Sequence, residues 1–191
     1  MHIHKRKQKS PLKFTPTAIP DVIVVEPKVF GDARGFFMES WNERAFSEAG
    51  ITGRFVQDNH SRSAEGVLRG LHYQIKQAQG KLVRVIAGEI FDVAVDIRKS
   101  SPTFGRALTI MLSAENKQML WVPAGFAHGF YVTSDYAEVI YKTTDFYAPE
   151  HECVLAWNDP ALDIRWPLQG DPVLAARDVA GKVLGDVELF P

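Results

Sequence analysis

The amino-acid sequence predicts an all-β fold, a sandwich or barrel of short strands in one domain. Short runs rich in Val, Ile, Phe and Tyr recur along the 191 residues. Clusters of Gly, Pro, Asn, Asp and Ser separate these runs, as turns separate strands. Strands and long helices do not alternate along the chain, which argues against a βαβ architecture.

The runs give ten predicted strands and one predicted helix. The helix is expected over 43–49, because Asn42 can cap its N-terminus and Gly50 stands where a glycine often follows a helix. The tail from residue 168 is expected to be a mixed loop with a short helix. The predicted strands are DVIVV (21–25), FFMESW (36–41), RFVQD (54–58), VLRGLHYQI (67–75), KLVRVI (81–86), IFDVAVDI (90–97), ALTIML (107–112), MLWV (119–122), GFYV (129–132) and AEVIYKTT (137–144).

Composition and charge exclude several classes of protein. The chain is 46% hydrophobic, as expected of a folded globular domain. Lys and Arg total 22 against 23 Asp and Glu, so the overall charge does not indicate a nucleic-acid or membrane-surface binder. Its one cysteine, Cys153, excludes an intrachain disulfide and a cysteine-built zinc site, and this suits a reducing cytosol. The apolar runs are far shorter than the ~20 residues that cross a bilayer.

The N-terminus differs from the rest of the chain. It lacks an apolar segment, so we expect no signal peptide there. We expect residues 1–13 to form a basic, disordered extension, either native or a leader, and residues 14–191 to form the single domain. The alternative is an electrostatic arm for an anionic partner. The basic residues concerned are Lys5, Arg6, Lys7, Lys9 and Lys13.

Alternation along the run IFDVAVDI predicts which of its side chains share a face. The odd-numbered set, from Phe91 to Ile97, is expected to face the core. The even-numbered set, from Ile90 to Asp96, includes Asp92 and is expected to face solvent or a polar cavity.

Alternation also bears on the polar residues of two other runs. In AEVIYKTT, Tyr141 shares a face with Val139. In VLRGLHYQI, strict alternation puts Arg69 and His72 on opposite faces. If both serve one site, Gly70 marks a β-bulge that changes the parity of the strand.

Residue patterns argue against a metal centre and against covalent catalysis. A cupin-type metal site needs a His-x-His pair, but the residue two positions after His72 is a glutamine. His2 and His4 have that spacing but lie in the N-terminal extension. The sequence contains no G-x-S-x-G elbow and no phosphate-binding glycine loop, and Cys153 is interpreted as structural.

Five polar residues lie within or beside apolar runs, where a purely structural sheet would not place them. Each has a plain alternative explanation, since a single strand His or Tyr more often packs than reacts. Together, a histidine base, a phenolic acid and several cations suggest a pocket for an anionic substrate that undergoes proton transfer. These residues are Arg69, His72, Lys81, His128 and Tyr141.

Long motifs of the chain, from about Phe14 to the C-terminus, resemble the dTDP-4-dehydrorhamnose 3,5-epimerase family. They are VFGDARGFFMESWN (29–42), FVQDNHSRS (55–63), GVLRGLHYQ (66–74), QGKLVRVIAGEIFDVAVDIRKSSPTFG (79–105), WVPAGFAHGF (121–130), YKTTDFYAP (141–149) and WNDPALDIRWP (157–167).

The resemblance implies a cupin-like jelly roll that forms a homodimer and needs no metal or organic cofactor. It implies conversion of dTDP-4-dehydro-6-deoxy-D-glucose to dTDP-4-dehydro-L-rhamnose by inversion at C3 and C5. It also implies a cytoplasmic enzyme of dTDP-rhamnose biosynthesis, a supplier of lipopolysaccharide O-antigen, with no nucleic-acid or membrane partner.

By the same resemblance, His72 is the base and Asp178 orients it, Tyr141 is the acid, and Lys81 stabilises charge on the C4 oxygen while binding substrate. Tyr147 is a candidate to stack on thymine. The remaining substrate-binding residues that the resemblance implies are Arg34, Glu39, Gln57, Asp58, Asn59, Arg69, His128, Glu152 and Arg177. Asp92 is a further candidate to support His72 or Lys81.

The chain departs from the family pattern at two places. Where the family shows Ser-x-Lys-Asp, this chain has Ala175 to Asp178, which leaves the assignment of Asp178 the least secure. The segment between Gln74 and Lys81 is one residue shorter than usual, which could shift Lys81. The alternatives are a single-carbon epimerase on a related 4-keto sugar nucleotide, a noncatalytic sugar-nucleotide-binding cupin and a metal-dependent cupin oxygenase.

Overall fold

Two antiparallel sheets packed face to face form the body of the computed structural model, which describes residues 11–191. The six-stranded sheet has the order β1 (Leu12–Pro16), β2 (Ile23–Pro27), β10 (Met119–Val122), β7 (Lys81–Ala87), β12 (Tyr136–Thr143) and β5 (Gln57–Ala64). The five-stranded sheet has the order β13 (Glu152–Val154), β6 (Leu68–Gln74), β11 (Phe126–Val132), β8 (Glu89–Asp96) and β9 (Ala107–Ser113). A separate hairpin pairs β3 (Val29–Asp32) with β4 (Gly35–Met38).

Helical structure is limited to short segments, so the predicted all-β jelly roll is confirmed. Helix α1 (Glu43–Glu48) begins after Asn42, whose side chain accepts a hydrogen bond from the backbone N–H of Ala45, as the capping prediction required. Helix α2 (Ala176–Val179) lies in the predicted mixed tail. Single 3-10 turns cover Pro149–His151 and Pro160–Leu162. In the described part of the chain, no helix is long and apolar enough to span a membrane.

The main core lies between the two sheets. Side chains that alternate inward from β7, β10 and β12 meet those from β8, β9 and β11, so each strand supplies every second residue. Val139 and Tyr141 share a face, as predicted, and this face is the inner one: Val139 lies in the core and Tyr141 packs at its edge. The fully buried members include Val83, Ile90, Ala94, Leu112, Leu120 and Val132.

Other segments of the chain also pack on the outer face of each sheet. Helix α1 packs through Phe46 on the six-stranded sheet, and the C-terminal tail packs on the five-stranded sheet. Strand β8 is therefore buried on both faces, which corrects the expectation for its even-numbered residues. Ile90 lies in the main core, and Asp92 and Asp96 are fully buried.

Three strands were not predicted, and several predicted strands have shifted bounds. Strands β1, β3 and β13 were missed, and the run over 54–58 becomes β5, which starts at Gln57. Leu12 and Lys13 of the predicted N-terminal extension belong to β1, where Leu12 is buried. Residues 1–10 of that extension, with His2 and His4, lie outside the described residues.

Candidate active site

His72 and Asp178 form a hydrogen-bonded pair inside the sandwich. His72 Nε2 lies 2.5 Å from Asp178 Oδ1, although 106 residues separate them along the chain. The tail places α2 against β6 and buries Asp178, whose side chain is only 2% exposed. A buried carboxylate at this distance fixes the orientation of the imidazole ring.

A bulge at Gly70 turns both polar residues of β6 inward. The register with β11 shifts there: Arg69 pairs with Phe130 and His72 with His128. A step of three residues along β6 therefore matches a step of two along β11. Gly70 has φ +125, and a Cβ at this position would lie 2.6 Å from the Cα of Gly129. The position therefore admits only glycine. The predicted change of parity is confirmed, and Arg69 and His72 point into the same interior.

A cleft of about 310 Å³ opens above this pair. Strands β5, β6, β7, β12 and β13 contribute to its walls, together with α2 and the loop after β12. It contains the four residues Asn59, His72, Lys81 and Tyr141, which come from four different strands. Its other lining residues are Tyr73, Gln74, Gln79, Tyr147, Glu152 and Arg177.

Lys81 lies at the start of β7 and reaches across to β6. Its ammonium donates a hydrogen bond to the carbonyl oxygen of His72 at 3.3 Å. Burial lowers the pKa of Lys81 to about 8, against the opposing charges of Glu152 and Asp92. At neutral pH the side chain therefore remains mostly protonated, as a stabiliser of developing negative charge must be.

Tyr141 stands on β12 opposite Asn59 of β5. Burial raises the pKa of its phenol, while the charges of Arg69 and Arg177 oppose that change. The phenol thus keeps its proton through the neutral range and can donate it. Its hydroxyl has no hydrogen bond among the described contacts, so it is available to a bound molecule.

The mouth of the cleft carries charged and aromatic groups. Arg177 Nη1 lies 3.0 Å from Glu152 Oε2, and the hydroxyl of Tyr147 donates to the same oxygen at 3.3 Å. Tyr147 is half exposed, with its backbone N–H donating to Gln57 Oε1. Gln57 also donates to Asn59, so a series of hydrogen bonds links the loop that carries Tyr147 to the wall of the cleft. An exposed ring held in this way can stack on a flat base.

Two further polar pairs lie deeper in the sandwich. His128 of β11 stands opposite His72 of β6, and its Nε2 lies 2.6 Å from Asp92 Oδ1. Arg69 donates from Nε to the hydroxyl of Ser63 at 2.9 Å. Neither Arg69 nor His128 lines the cleft itself.

Three residues that the sequence assigned to substrate binding lie away from this cleft. Arg34 is at the turn of the β3–β4 hairpin, where it pairs with Asp32 and is 91% exposed. Glu39 follows that hairpin, and its buried Oε1 has no hydrogen-bond partner among the described residues. Asp58 points to the opposite face of β5, where it pairs with Lys142 at 2.9 Å.

Sequence reasoning missed several contributors. Gln74 lines the cleft and holds its loop, donating to the carbonyl of Phe146 and accepting from the N–H of Ala148. Gln79 holds the same loop through the carbonyl of Asp145. The alternation of β6 could have indicated Gln74, which lies two residues after His72. No local pattern indicates Gln79.

No group of three or more His, Cys, Asp and Glu residues in the described range could hold a metal ion. Cys153 is partly buried on β13, with its thiol near the carbonyl of His151. The cleft combines a histidine–carboxylate pair, a phenol and an ammonium. Such a set can remove a proton, return one and stabilise an intermediate oxyanion.

Comparison with known proteins identifies the family. The model of the dTDP-4-dehydrorhamnose 3,5-epimerase family matches residues 16–186. The chain belongs to this family. A dTDP-4-dehydrorhamnose 3,5-epimerase of Pseudomonas aeruginosa is 65% identical over 181 residues, which cover 94% of this chain and 100% of that protein. Members of this epimerase family are isomerases.

Solved structures of the epimerase family share the architecture. A Legionella pneumophila dTDP-6-deoxy-D-glucose-3,5-epimerase in complex with dTDP-4-keto-L-rhamnose superposes with a TM-score of 0.91 at 53% identity, covering 93% of this chain and 95% of that one. A 3′-monoepimerase of Streptomyces bikiniensis in complex with dTDP-quinovose gives 0.84 at 33% identity, covering 89% and 87%. The cupin-like jelly roll is therefore the fold of this epimerase-family chain.

Proposed function

We propose that this chain converts dTDP-4-dehydro-6-deoxy-D-glucose to dTDP-4-dehydro-L-rhamnose. The observation that carries this proposal is that a family-matched chain brings His72, Lys81 and Tyr141 into one cleft. Both carbons to be inverted are next to the C4 ketone, so loss of a proton from either gives an enolate. Inversion then requires a proton from the opposite face.

His72 is the base in this mechanism. Because Nε2 lies at Asp178, Nδ1 is the nitrogen that remains to accept a proton from the sugar carbon. The C–H electron pair moves into the ring and onto the C4 oxygen. The Asp178 carboxylate stabilises the imidazolium that results.

Lys81 and Tyr141 complete the reaction. The ammonium of Lys81 stabilises the enolate oxygen at C4, where preorganised charge contributes most to the rate. Tyr141 donates its phenolic proton to the carbon from the other face, and proton exchange with solvent restores both residues. The burial that raises the pKa of Tyr141 keeps this proton in place until it is needed.

The nucleotide part of the substrate is held at the mouth of the cleft. Arg177 offers a guanidinium to the diphosphate, since its fork of N–H donors suits phosphate oxygens. Tyr147 stacks on the thymine ring. Arg69, Asn59 and His128 complete the binding set that the family motifs imply.

A homodimer accounts for the binding residues that lie outside the cleft. The β3–β4 hairpin pairs with neither main sheet and exposes Phe30, Phe36 and Phe37. A second copy of the chain would cover these rings. Arg34 of one copy would then reach the cleft of the other, where the diphosphate needs cations. Sedimentation of the wild-type protein and of Phe37→Asp tests this, and a wild-type monomer would refute it.

Deuterium exchange tests the reaction directly. In deuterium oxide, proton NMR of the substrate with wild-type protein should show loss of the signals at both C3 and C5. Exchange at one carbon only would favour a single-carbon epimerase, as named for the Streptomyces bikiniensis relative. Intact binding with no exchange would favour a noncatalytic sugar-nucleotide binder.

We further propose that the enzyme works in the cytoplasm and supplies rhamnose for a surface glycan such as lipopolysaccharide O-antigen. The single cysteine supports a reducing compartment. Deletion of the gene from its host should remove rhamnose from the surface polysaccharide and leave the substrate nucleotide in the cytoplasmic extract. Unchanged rhamnose content would refute this role.

A further inference from the structure

A second histidine–carboxylate pair lies beside the first, and the mechanism above does not use its carboxylate. Asp92 is fully buried on β8, and its Oδ1 accepts a hydrogen bond from His128 Nε2 at 2.6 Å. His128 stands directly opposite His72 in the β6–β11 pairing. Directly opposed residues of antiparallel strands are side-by-side neighbours on one face, so the two histidines line the same interior.

The other oxygen of Asp92 has no structural partner. Oδ2 is buried and accepts no hydrogen bond from the described residues. A buried charged group with an unsatisfied oxygen costs folding free energy. The neighbours of Asp92 on the same face of β8, Ile90 and Ala94, are apolar and pack in the core. Packing alone therefore gives no reason for a carboxylate at this position.

The charge of Asp92 acts on the cleft. Asp92 and Glu152 are the two carboxylates that favour the protonated form of Lys81, against the burial that disfavours it. Glu152 is already shared between Arg177 and Tyr147. The titratable and charged groups around Lys81 are Glu152 from β13, Asp92 from β8, His72 and Tyr73 from β6, Tyr141 from β12, Tyr147 from the following loop, and Asp178 and Arg177 from α2.

We propose that Asp92 is a positioning residue for the epimerisation, which orients His128 by a hydrogen bond and supplies a buried negative charge to the cleft. This inference rests on the proposed function of the cleft. Asp92 does not line the cleft and touches no substrate; it acts through the two side chains that do the binding and the charge stabilisation.

The test is the pH profile of kcat/KM for Asp92→Asn. The amide has nearly the same shape and can still accept from His128, but it carries no charge. We expect the alkaline limb that Lys81 sets near pH 8 to move down by about one pH unit, which gives about tenfold lower kcat/KM at pH 9 and near-wild-type values at pH 6. Asp92→Glu keeps the charge and should keep the limb, with a higher KM because His128 is displaced.

Asp96→Asn is the matched control. It removes a second fully buried carboxylate from the same face of β8, but this one pairs with Arg98, remote from the cleft. It should lower the melting temperature and leave the alkaline limb unmoved. If Asp92→Asn behaves in the same way, or if Asp92→Glu moves the limb, Asp92 is structural and the inference is wrong.

Deuterium exchange by the wild-type protein separates this inference from the proposed function. Exchange at the sugar carbons combined with an unshifted limb in Asp92→Asn would overturn the role of Asp92 alone. If the wild-type protein exchanges neither carbon, the proposed function and the inference both fail.

Discussion

Asp178→Asn is the sharpest single test of the site, because the local sequence departs from the family pattern there. The carboxylate is 2% exposed and lies 2.5 Å from His72 Nε2. The amide has the same size, so the variant should fold. It can, however, present its NH2 group to Nε2, which would leave the ring proton on Nδ1 and prevent that nitrogen from acting as a base.

The size of the effect follows from the geometry of the pair. A hydrogen bond to a charged group contributes about 1.5–3 kcal/mol, and each 1.36 kcal/mol of transition-state stabilisation is worth about tenfold in rate. Loss of the bond to the imidazolium alone therefore lowers kcat by about 10- to 150-fold. The wrong tautomer adds to this, and we expect a loss of at least about 100-fold in kcat.

The assay is the initial rate of deuterium incorporation at C3 and C5, with dTDP binding measured by calorimetry. Binding should change little, because Asp178 does not line the cleft. Asp186→Asn, an exposed carboxylate of the same C-terminal tail, is the matched control and should retain wild-type activity. A folded Asp178→Asn protein with more than half the wild-type kcat would show that the pair does not orient the base.

Three further predictions concern the acid, the cation and the core. Tyr141→Phe should lower product formation by about 10²- to 10⁴-fold in coupled assays, the usual contribution of a general acid, with melting temperature unchanged since its hydroxyl has no described hydrogen bond. Because burial lowers the pKa of Lys81 to about 8, wild-type kcat/KM should fall as pH rises through 8, and a profile flat to pH 10 would contradict this. Asp96→Ala should destabilise the fold by about 3 kcal/mol in urea titrations, since it leaves Arg98 without its buried partner. Burial raises the pKa of Asp96, but hydrogen bonds led by Arg98 outweigh it and hold the pKa at about 2, so this stabilisation is present above about pH 4 and is lost as pH falls through 2.

Strand positions in the two main sheets were predictable because most of these strands bury at least one face. The alternation that placed Tyr141 and Val139 on one face of β12 reflects that burial. A bulge at Gly70 was expected if Arg69 and His72 serve one site, and the structure has it. Strand β8 shows the limit of this reasoning. Its even-numbered residues were expected to face solvent or a polar cavity, but they face the core between the two sheets. Its odd-numbered residues pack instead under a chain segment almost 70 residues later, and no local pattern indicates that cover.

Two of the three strands that were missed are explained in the same physical terms. Strand β3 is exposed along its whole length, so it has no alternation to detect. Strand β13 has three residues, too few to show a period of two. Strand β13 carries Glu152, and the turn after β3 carries Arg34. Sequence reasoning could assign these two residues to substrate binding only by resemblance.

The sequence by itself determined the fold class, the helix at Asn42, and which residue types could act as base, acid and cation. It determined these because strand alternation, helix capping and side-chain chemistry are local properties. The tertiary structure alone decided which of those residues meet. It places Asp178 next to His72 and buries Lys81, which lowers the pKa of that side chain. It places Arg34 and Asp58 away from the cleft. Distances between residues far apart in the chain depend on how the sheets and the tail pack together, and this packing is a property of the whole molecule.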